Sequence, residues 1–308
     1  MIFRKGQDNK LTPVKNIGFK LEKDIQTLVE NNMDVLFGLR FLETEFTIAD
    51  FRFDSVAFDD ETNSFVIIED KNVENKGLVD QGYAYLKTAL DRKADLVLLY
   101  NRKTGQSKQI DDFEWDQISV IFVSPKFSRY QTEAVNFQGM PFRLYRISQY
   151  KDGIIDLEEI KERKVKEDPL SLGTGDSDIK TVAREVKVYT EDHNLEKADE
   201  ETKELYQKLK DKASDIDTFD IVPRKLYIAY KINNTNVFDV QVEKRSLAVF
   251  LNLKSGELDG QFDDSKLSVK NVSKTGHWGN GDYKAIVQSE DQLDYLIPLI
   301  RLSYKKNS

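Results

Sequence analysis

Two apolar segments separated by a short polar turn constrain the fold of the N-terminal half more than any other feature of the sequence. The first segment, residues 51–58, alternates Phe and Val with polar or small residues. The second, residues 65–71, begins with the continuous run Phe-Val-Ile-Ile. The residues between them, Asp-Asp-Glu-Thr-Asn at 59–63, are typical of a turn. This pattern predicts two β-strands joined as a hairpin.

Charged residues occupy matched positions in the predicted hairpin. If residues 60–63 form its loop, Asp54 lies directly opposite Glu69. Side chains opposed in this way on one face have Cβ atoms about 4.5–5.5 Å apart. Lys71 follows Glu69 by two residues and therefore points to the same face. We expect the hairpin to bring two carboxylates and one lysine together.

This combination of side chains predicts hydrolysis of a phosphodiester bond. Two carboxylates so close repel each other unless a cation lies between them. Mg²⁺ takes oxygen ligands, often only one or two carboxylates, and keeps other positions for water. A neighbouring lysine can orient or activate the attacking water and stabilise a pentavalent phosphorane. We expect Mg²⁺ or Mn²⁺ as the cofactor. The alternative is a surface hairpin in which the charges form only salt bridges.

The spacing of Asp54, Glu69 and Lys71 resembles the motif of the PD-(D/E)XK nuclease superfamily, an acidic residue followed after a variable gap by Glu-x-Lys on the next strand. The resemblance covers about residues 15–150. Its order of elements is similar to that of RecB-like nucleases and of archaeal NucS-type and related bacterial nuclease domains. It implies a restriction-endonuclease-like α/β fold, with a mixed sheet flanked by helices.

The resemblance also implies roles for residues on two predicted helices. Members of the superfamily often place a metal-binding glutamate on the first helix, where this chain has Glu22. RecB-like members carry a Gln and a Tyr four residues apart on the helix after the motif, which Gln81 and Tyr85 match. We expect Gln81 and Tyr85 to belong to the catalytic site, although plain packing on one helix face explains their spacing equally well.

The chain departs from the superfamily pattern at two positions. Phe53, not proline, precedes Asp54, and Asp70 occupies the variable position between Glu and Lys, which is more often apolar. On a strand, Asp70 points to the face opposite Glu69. It therefore needs its own partner or a place near the strand end.

Patterns along the rest of the chain predict two domains. Helices are expected near 15–33, 78–92, 127–137 and 290–304, and extended segments near 45–58, 95–100, 118–123 and 141–148. Strands dominate after residue 216. We predict a nuclease-like domain at 1–150, a charged linker and helical segment at 151–199, and a smaller α+β accessory domain at 200–308.

Composition excludes several other kinds of site. Cysteine is absent and only two histidines are present, which excludes disulfides and thiolate sites and argues against a multi-histidine metal site. The net charge is −8, of which about −6 falls in residues 151–215, so a local basic groove elsewhere is permitted. The absence of a signal-peptide core and of an apolar run of ~18 residues favours a cytoplasmic protein without membrane partners.

The predicted second domain has one distinctive segment, residues 275–282. Its glycines and Asn-Gly step are typical of an ordinary hairpin turn. The alternative is a binding loop formed by His277, Trp278 and Asp282, in which the indole offers a stacking face. This region is similar to a small bacterial domain without an assigned activity that follows nuclease-like domains.

The sequence supports two functions. The first is a metal-dependent nuclease that acts on nucleic acid, with DNA as the expected substrate, in defence or repair. The second is a non-catalytic module that binds nucleic acid or protein on a decayed nuclease fold. A protein partner or a homodimer stays open in both cases.

Overall fold

The computed structural model describes residues 1–71, 77–134, 140–160, 177–260, 262, 265–275 and 281–308. Over these residues the chain divides into two compact units, Met1–Val188 and Tyr189–Ser308. Hydrophobic clusters are contained within each unit. No helix in the described residues is long and apolar enough to cross a membrane.

The first unit contains both strands and helices. The strands are β1 (Phe3–Lys5), β2 (Leu11–Pro13), β3 (Arg40–Ile48), β4 (Phe51–Asp59), β5 (Ser64–Asp70), β6 (Ser119–Ser124), β7 (Phe142–Gln149) and β8 (Ile155–Glu159). The helices are α1 (Glu22–Asn31), α2 (Met33–Phe37), α3 (Leu78–Asp91), α4 (Lys93–Thr104), α5 (Arg129–Ala134) and α6 (Ser177–Glu185).

Strands β3 to β8 form a mixed sheet in chain order. β3, β4 and β5 are antiparallel neighbours, β5, β6 and β7 run parallel, and β8 returns antiparallel to β7. Parallel neighbours need crossover connections, and α3 and α4 supply the one between β5 and β6. The carboxyl ends of β5, β6 and β7 therefore lie at one edge of the sheet. The predicted α/β class, a mixed sheet flanked by helices, is confirmed.

Alternate residues of β5 enter two different cores. Phe65 and Ile67 belong to the cluster that includes residues of α3 and α4. Val66 and Ile68 pack with Ile25 and other residues of α1 and α2. Because both faces of this strand are covered, its sequence is a continuous apolar run instead of an alternating one.

Three predicted elements differ in the structure. The helix predicted at 15–33 begins only at Glu22 and is followed, after Asn32, by the separate helix α2. Residues 95–100, predicted as a strand, lie within α4, where Leu96, Leu99 and Tyr100 are buried and Leu98 is exposed. A short apolar run fits a buried strand and a helix equally well, and here it continues as a twelve-residue helix. The single extended segment predicted at 45–58 is divided by a turn at Ala49, whose φ is +51°.

The first unit extends past residue 150, where the sequence prediction ended it. β8 pairs with β7, and its Ile155 and Leu157 pack against the α1 side of the core. Val182 of α6 is fully buried in the cluster on the other side. Residues of the predicted charged linker thus complete the sheet and its helical layer. Residues 161–176 of that predicted linker lie outside the described part.

The second unit is an antiparallel sheet with helices. Its strands are β9 (Asp220–Pro223), β10 (Ile228–Ile232), β11 (Thr235–Val242), β12 (Leu247–Leu251), β13 (Ser268–Asn271) and β14 (Tyr283–Val287). Its helices are α7 (Glu191–Leu195), α8 (Glu200–Ser214) and α9 (Glu290–Asn307). The sheet order is β13-β14-β12-β11-β10-β9, and apolar residues of α8 and α9 share its core. The predicted α+β class is confirmed.

Candidate active site

The β4–β5 hairpin has the register that the sequence predicts. Asp59 pairs with Ser64, and the pairing continues without a shift to Ser55 and Ile68. The next position on each strand holds Asp54 and Glu69. There the backbone N–H of Asp70 donates a 3.1 Å hydrogen bond to Asp54 Oδ2. The Asp54 carboxylate is thereby held at the end of the ladder.

Lys71 connects carboxylates from two elements. Its backbone N–H donates to the carbonyl oxygen of Val123 on β6, which fixes the chain just beyond the carboxyl end of β5. Its ammonium group lies 2.5 Å from Glu69 Oε1 and 3.9 Å from Glu22 Oε1 at the start of α1. The structure therefore brings Glu22, Glu69 and Lys71 together at the carboxyl end of β5.

Helix α3 reaches the same carboxylate. Gln81 Nε2 lies 2.7 Å from Glu69 Oε1 and 2.7 Å from the hydroxyl oxygen of Tyr85, one turn further along the helix. The Tyr85 hydroxyl group donates a long 3.4 Å hydrogen bond to the carbonyl oxygen of Arg52, and its ring packs edge-on against Phe53 at 4.8 Å. Gln81 thus contacts the Glu69 carboxylate, and Tyr85 contacts both Gln81 and the hydrophobic core.

Helix α1 also holds the strand that carries Asp54, through residues that the sequence analysis did not single out. Gln26 is buried and its amide donates a 2.9 Å hydrogen bond to the carbonyl oxygen of Asp54. Ser55 on the same strand donates a 2.7 Å hydrogen bond to Glu30 Oε1. The only sequence signal for these contacts is the i, i+4 spacing of Glu22, Gln26 and Glu30 on one helix face.

Burial and neighbouring charge change the ionisation of the site. Burial, followed by the charge of Glu69, raises the pKa of Asp54 to about 6, against the opposing hydrogen bond from the Asp70 N–H and the charge of Lys71. Burial by itself lowers the pKa of Lys71, but the hydrogen bond and charge of Glu69 and the charges of Asp54 and Glu22 raise it overall. The lysine therefore stays protonated while Asp54 resists ionisation.

Asp70 lies on the opposite face of β5 from Glu69, as predicted, and is fully buried. Neither of its carboxyl oxygens has a hydrogen-bond partner among the described residues. Burial, and then the negative charges of Asp54 and Glu30, raise its pKa well above the usual range. The surroundings of Asp70 thus favour its neutral, protonated form.

The donor set fits a hard cation at Glu69 and Asp54. Only 3% of the Glu69 side chain is exposed, and its Oε2 is buried without a partner in the described part of the chain. In that same part, no three His, Asp or Glu side chains converge as a metal-binding group. The ligand set of Glu22, Asp54 and Glu69 therefore stays a prediction. A site with two carboxylates and several waters is common for Mg²⁺.

The predicted binding loop of the second unit is only partly described. His277 and Trp278 lie outside the described residues. Asp282 accepts a 2.8 Å hydrogen bond from the backbone N–H of Ser255, and its own N–H donates to the carbonyl oxygen of Leu253. These contacts give Asp282 a role in holding the adjacent backbone segment.

Comparisons with known proteins give one match to the C-terminal residues and one to nearly the full length of the chain. A family described as "Domain of unknown function (DUF5655)" matches residues 191–307. A Haemophilus influenzae protein described as "Uncharacterized protein" is 39% identical over 303 residues, 98% of each chain.

Two solved structures are similar to part of the chain. One is the crystal structure of a repair endonuclease from Pyrococcus abyssi, with a TM-score of 0.24, 16% identity, and coverage of 39% of this chain and 45% of that one. The other is the structure of an EndoMS–dsDNA2 complex, with a TM-score of 0.25, 16% identity, and coverage of 44% and 50%. Each match spans half or less of the solved chain.

Proposed function

We propose that this chain, which belongs to the same family as the Haemophilus influenzae protein, is a metal-dependent nuclease that hydrolyses phosphodiester bonds of DNA. The observation that carries the proposal is the environment of Glu69. One of its carboxylate oxygens is held by Lys71 and Gln81, and the other is buried and unpartnered among the described residues. A carboxylate that is held in one orientation and has one oxygen left for a further ligand can bind a cation.

Each residue of the site has a distinct role in the proposed reaction. Asp54 and Glu69 would hold Mg²⁺ or Mn²⁺, which when bound polarises a phosphate oxygen and lowers the pKa of water. Lys71 is protonated and stabilises the negative charge that develops on the phosphate. Glu22, at the start of α1, lies 3.9 Å from the Lys71 ammonium group and partly neutralises its positive charge.

The proposal is tested by cleavage of labelled DNA with Mg²⁺, with Mn²⁺ and with EDTA. Glu69→Gln keeps an oxygen that can accept from Lys71 and Gln81 but removes the charge that binds the cation. We expect it to abolish cleavage without lowering the melting temperature. Glu204→Gln, which removes an exposed charge from α8, is the matched control and should cleave like the wild type.

The same experiment separates the nuclease from the non-catalytic alternative. Cleavage by Glu69→Gln at the wild-type rate would show that the active site is elsewhere. A wild-type protein that binds DNA but does not cleave it with either cation would instead be a nucleic-acid-binding module. Isothermal titration of Mg²⁺ into the wild type and Asp54→Asn adds an independent measurement, since only the wild type should bind the cation.

A further inference from the structure

We propose that the hairpin of β1 and β2 is an arm that contacts the phosphate backbone of nucleic acid beside the candidate active site. The identity of the ligand rests on the proposed nuclease function. The surface itself rests on three independent features of residues 1–20: where the hairpin is attached, which of its side chains are exposed, and how its charge is distributed.

The hairpin is attached at the edge of the sheet that carries the candidate site. β5 and β7 are both parallel to β6, so Lys71 after β5 and Gln149 at the end of β7 lie at the same edge. The backbone N–H of Ile17 donates a 2.9 Å hydrogen bond to the carbonyl oxygen of Gln149, and that of Lys151 donates one of 2.9 Å to Lys15. The segment after the hairpin is therefore tied to this edge.

The chain then runs directly from this attachment into the site. Gly18 also donates to the carbonyl oxygen of Gln149, at 3.3 Å. Glu22, four residues later, lies 3.9 Å from the ammonium group of Lys71. Four residues span at most about 14 Å, or about four base steps of a nucleic-acid strand. A nucleic-acid strand bound at the site thus lies within about four base steps of the segment that follows the hairpin.

All residues of β1 and β2 are exposed, and one of the two faces of the hairpin carries a surface ion pair. Arg4 pairs with Asp152 at 2.6 Å. Since side chains alternate along a strand, Phe3 and Lys5 point to the face opposite Arg4. Leu11 pairs with Lys5 and shares that second face. Phe3 is 47% exposed and Leu11 61% exposed, which leaves an aromatic, an aliphatic and a basic side chain open to a ligand.

The charge of this segment is opposite to that of the whole chain. Residues 1–20 contain five Lys or Arg and a single acidic residue, Asp8, in a protein with a net charge of −8. Lys5 and Lys15 are exposed and form no ion pair with any described residue. Basic side chains next to an exposed aromatic ring are the combination that binds nucleic-acid backbone and bases.

The test compares two charge-matched variants of the full chain. Lys5→Ala/Lys15→Ala removes two exposed charges from residues 1–20, and Lys270→Ala/Lys305→Ala removes two exposed charges from β13 and α9 of the second unit. Binding of a labelled DNA oligonucleotide, single-stranded and duplex, is measured in EDTA at several salt concentrations. We expect the arm variant to bind about tenfold more weakly at low salt. The slope of log K against log salt should fall by about 0.7–0.9 per lost phosphate contact. The control should match the wild type.

Because EDTA prevents cleavage, the arm and the nuclease can fail separately. Equal affinity and equal salt slope in the two variants overturn the arm, whatever the wild type does with Mg²⁺. A wild type that binds no DNA also overturns it. Loss of DNA binding in the arm variant alone supports the arm, even if the wild type cleaves nothing. A variant that loses binding to anionic lipid vesicles but not to DNA assigns the hairpin to a membrane surface and overturns the proposal.

Discussion

The side-chain amide of Gln81 donates to the carboxylate oxygen of Glu69 that also accepts from Lys71. Two donors on one oxygen fix the orientation of the carboxylate before any ligand is present. The second oxygen, Oε2, is left for another partner. Gln81 therefore acts through Glu69, as a positioning residue.

The first prediction concerns Gln81. Removing a residue that orients a metal ligand commonly reduces metal affinity or activity by about 10–100-fold. We expect Gln81→Ala to lower the cleavage rate by that amount and to raise the Mg²⁺ concentration needed for half-maximal activity. Gln207→Ala, which removes an exposed glutamine side chain from α8 in the second unit, is the matched control and should cleave like the wild type. An unchanged Mg²⁺ dependence in Gln81→Ala would show that the amide has only a packing role.

The second prediction follows from the pKa of Asp54. Burial and the charge of Glu69 raise it from 3.8 to about 6, so the fold favours the protonated carboxyl. Its contribution to stability is fully present below pH 3.8 and is lost as the pH rises through 6. The shift corresponds to about 3 kcal/mol, or about 1–2 kcal/mol after allowance for partial exposure.

Asp54→Asn tests this dependence because it keeps an oxygen that can accept from the Asp70 N–H. Urea unfolding of the variant should give a higher free energy of unfolding than that of the wild type at pH 7, and the difference should shrink toward pH 4. Mg²⁺ should stabilise the wild type and not the variant. A difference that is constant from pH 4 to pH 7 would mean that Asp54 ionises in the fold as it does in the unfolded chain.

The third prediction concerns Gly281 in the second unit. Its φ is +103°, and a Cβ atom there would lie 1.9 Å from the carbonyl oxygen of Leu251. We expect Gly281→Ala to lower the free energy of unfolding by roughly 3–5 kcal/mol, through backbone strain and overlap together. Gly256→Ala is the matched control, with φ of +94° and open space around the added methyl group. It should cost about 1–2 kcal/mol. Equal losses would mean that the loop shifts to relieve the overlap.

The fourth prediction concerns the boundary of the first unit. A fragment of residues 1–150 lacks β8 and α6, so it exposes the edge of β7 and the apolar residues that β8 covers. We expect the fragment 1–188 to melt cooperatively and at a clearly higher temperature than 1–150. Circular dichroism of both fragments, with the full chain as reference, provides the comparison. Identical melting curves would show that β8 and α6 contribute nothing to the stability of the sheet.

The hairpin of the site could be predicted from sequence because turn length and strand alternation together fix a register. Asp54 and Glu69 follow from that register without any tertiary information. The environment of Asp70 could not be predicted in the same way. Alternation gives the face on which it lies, but whether a carboxyl group on that face meets a partner depends on how α1 packs against the sheet.

The other differences between the sequence prediction and the structure also depend on how the elements pack together. The run at 95–100 has no period long enough to separate a strand from a helix. The contact from Gln26 to the Asp54 backbone joins residues 28 positions apart, and no motif marks it. The sequence predicts an end of the first unit near residue 150 because the residues after it are rich in charge, whereas in the structure Ile155 and Leu157 face the core and the unit extends to Val188.

The hydrogen bond from the Asp70 amide to Asp54 has a practical consequence for spectroscopy. The resonance of an amide proton shifts with the charge of its acceptor, so this one backbone signal should follow the titration of Asp54 near pH 6. It should also move when a cation displaces or tightens that acceptor. A single cross-peak would then report ionisation and ligand occupancy at the end of the hairpin, without a substrate and without turnover.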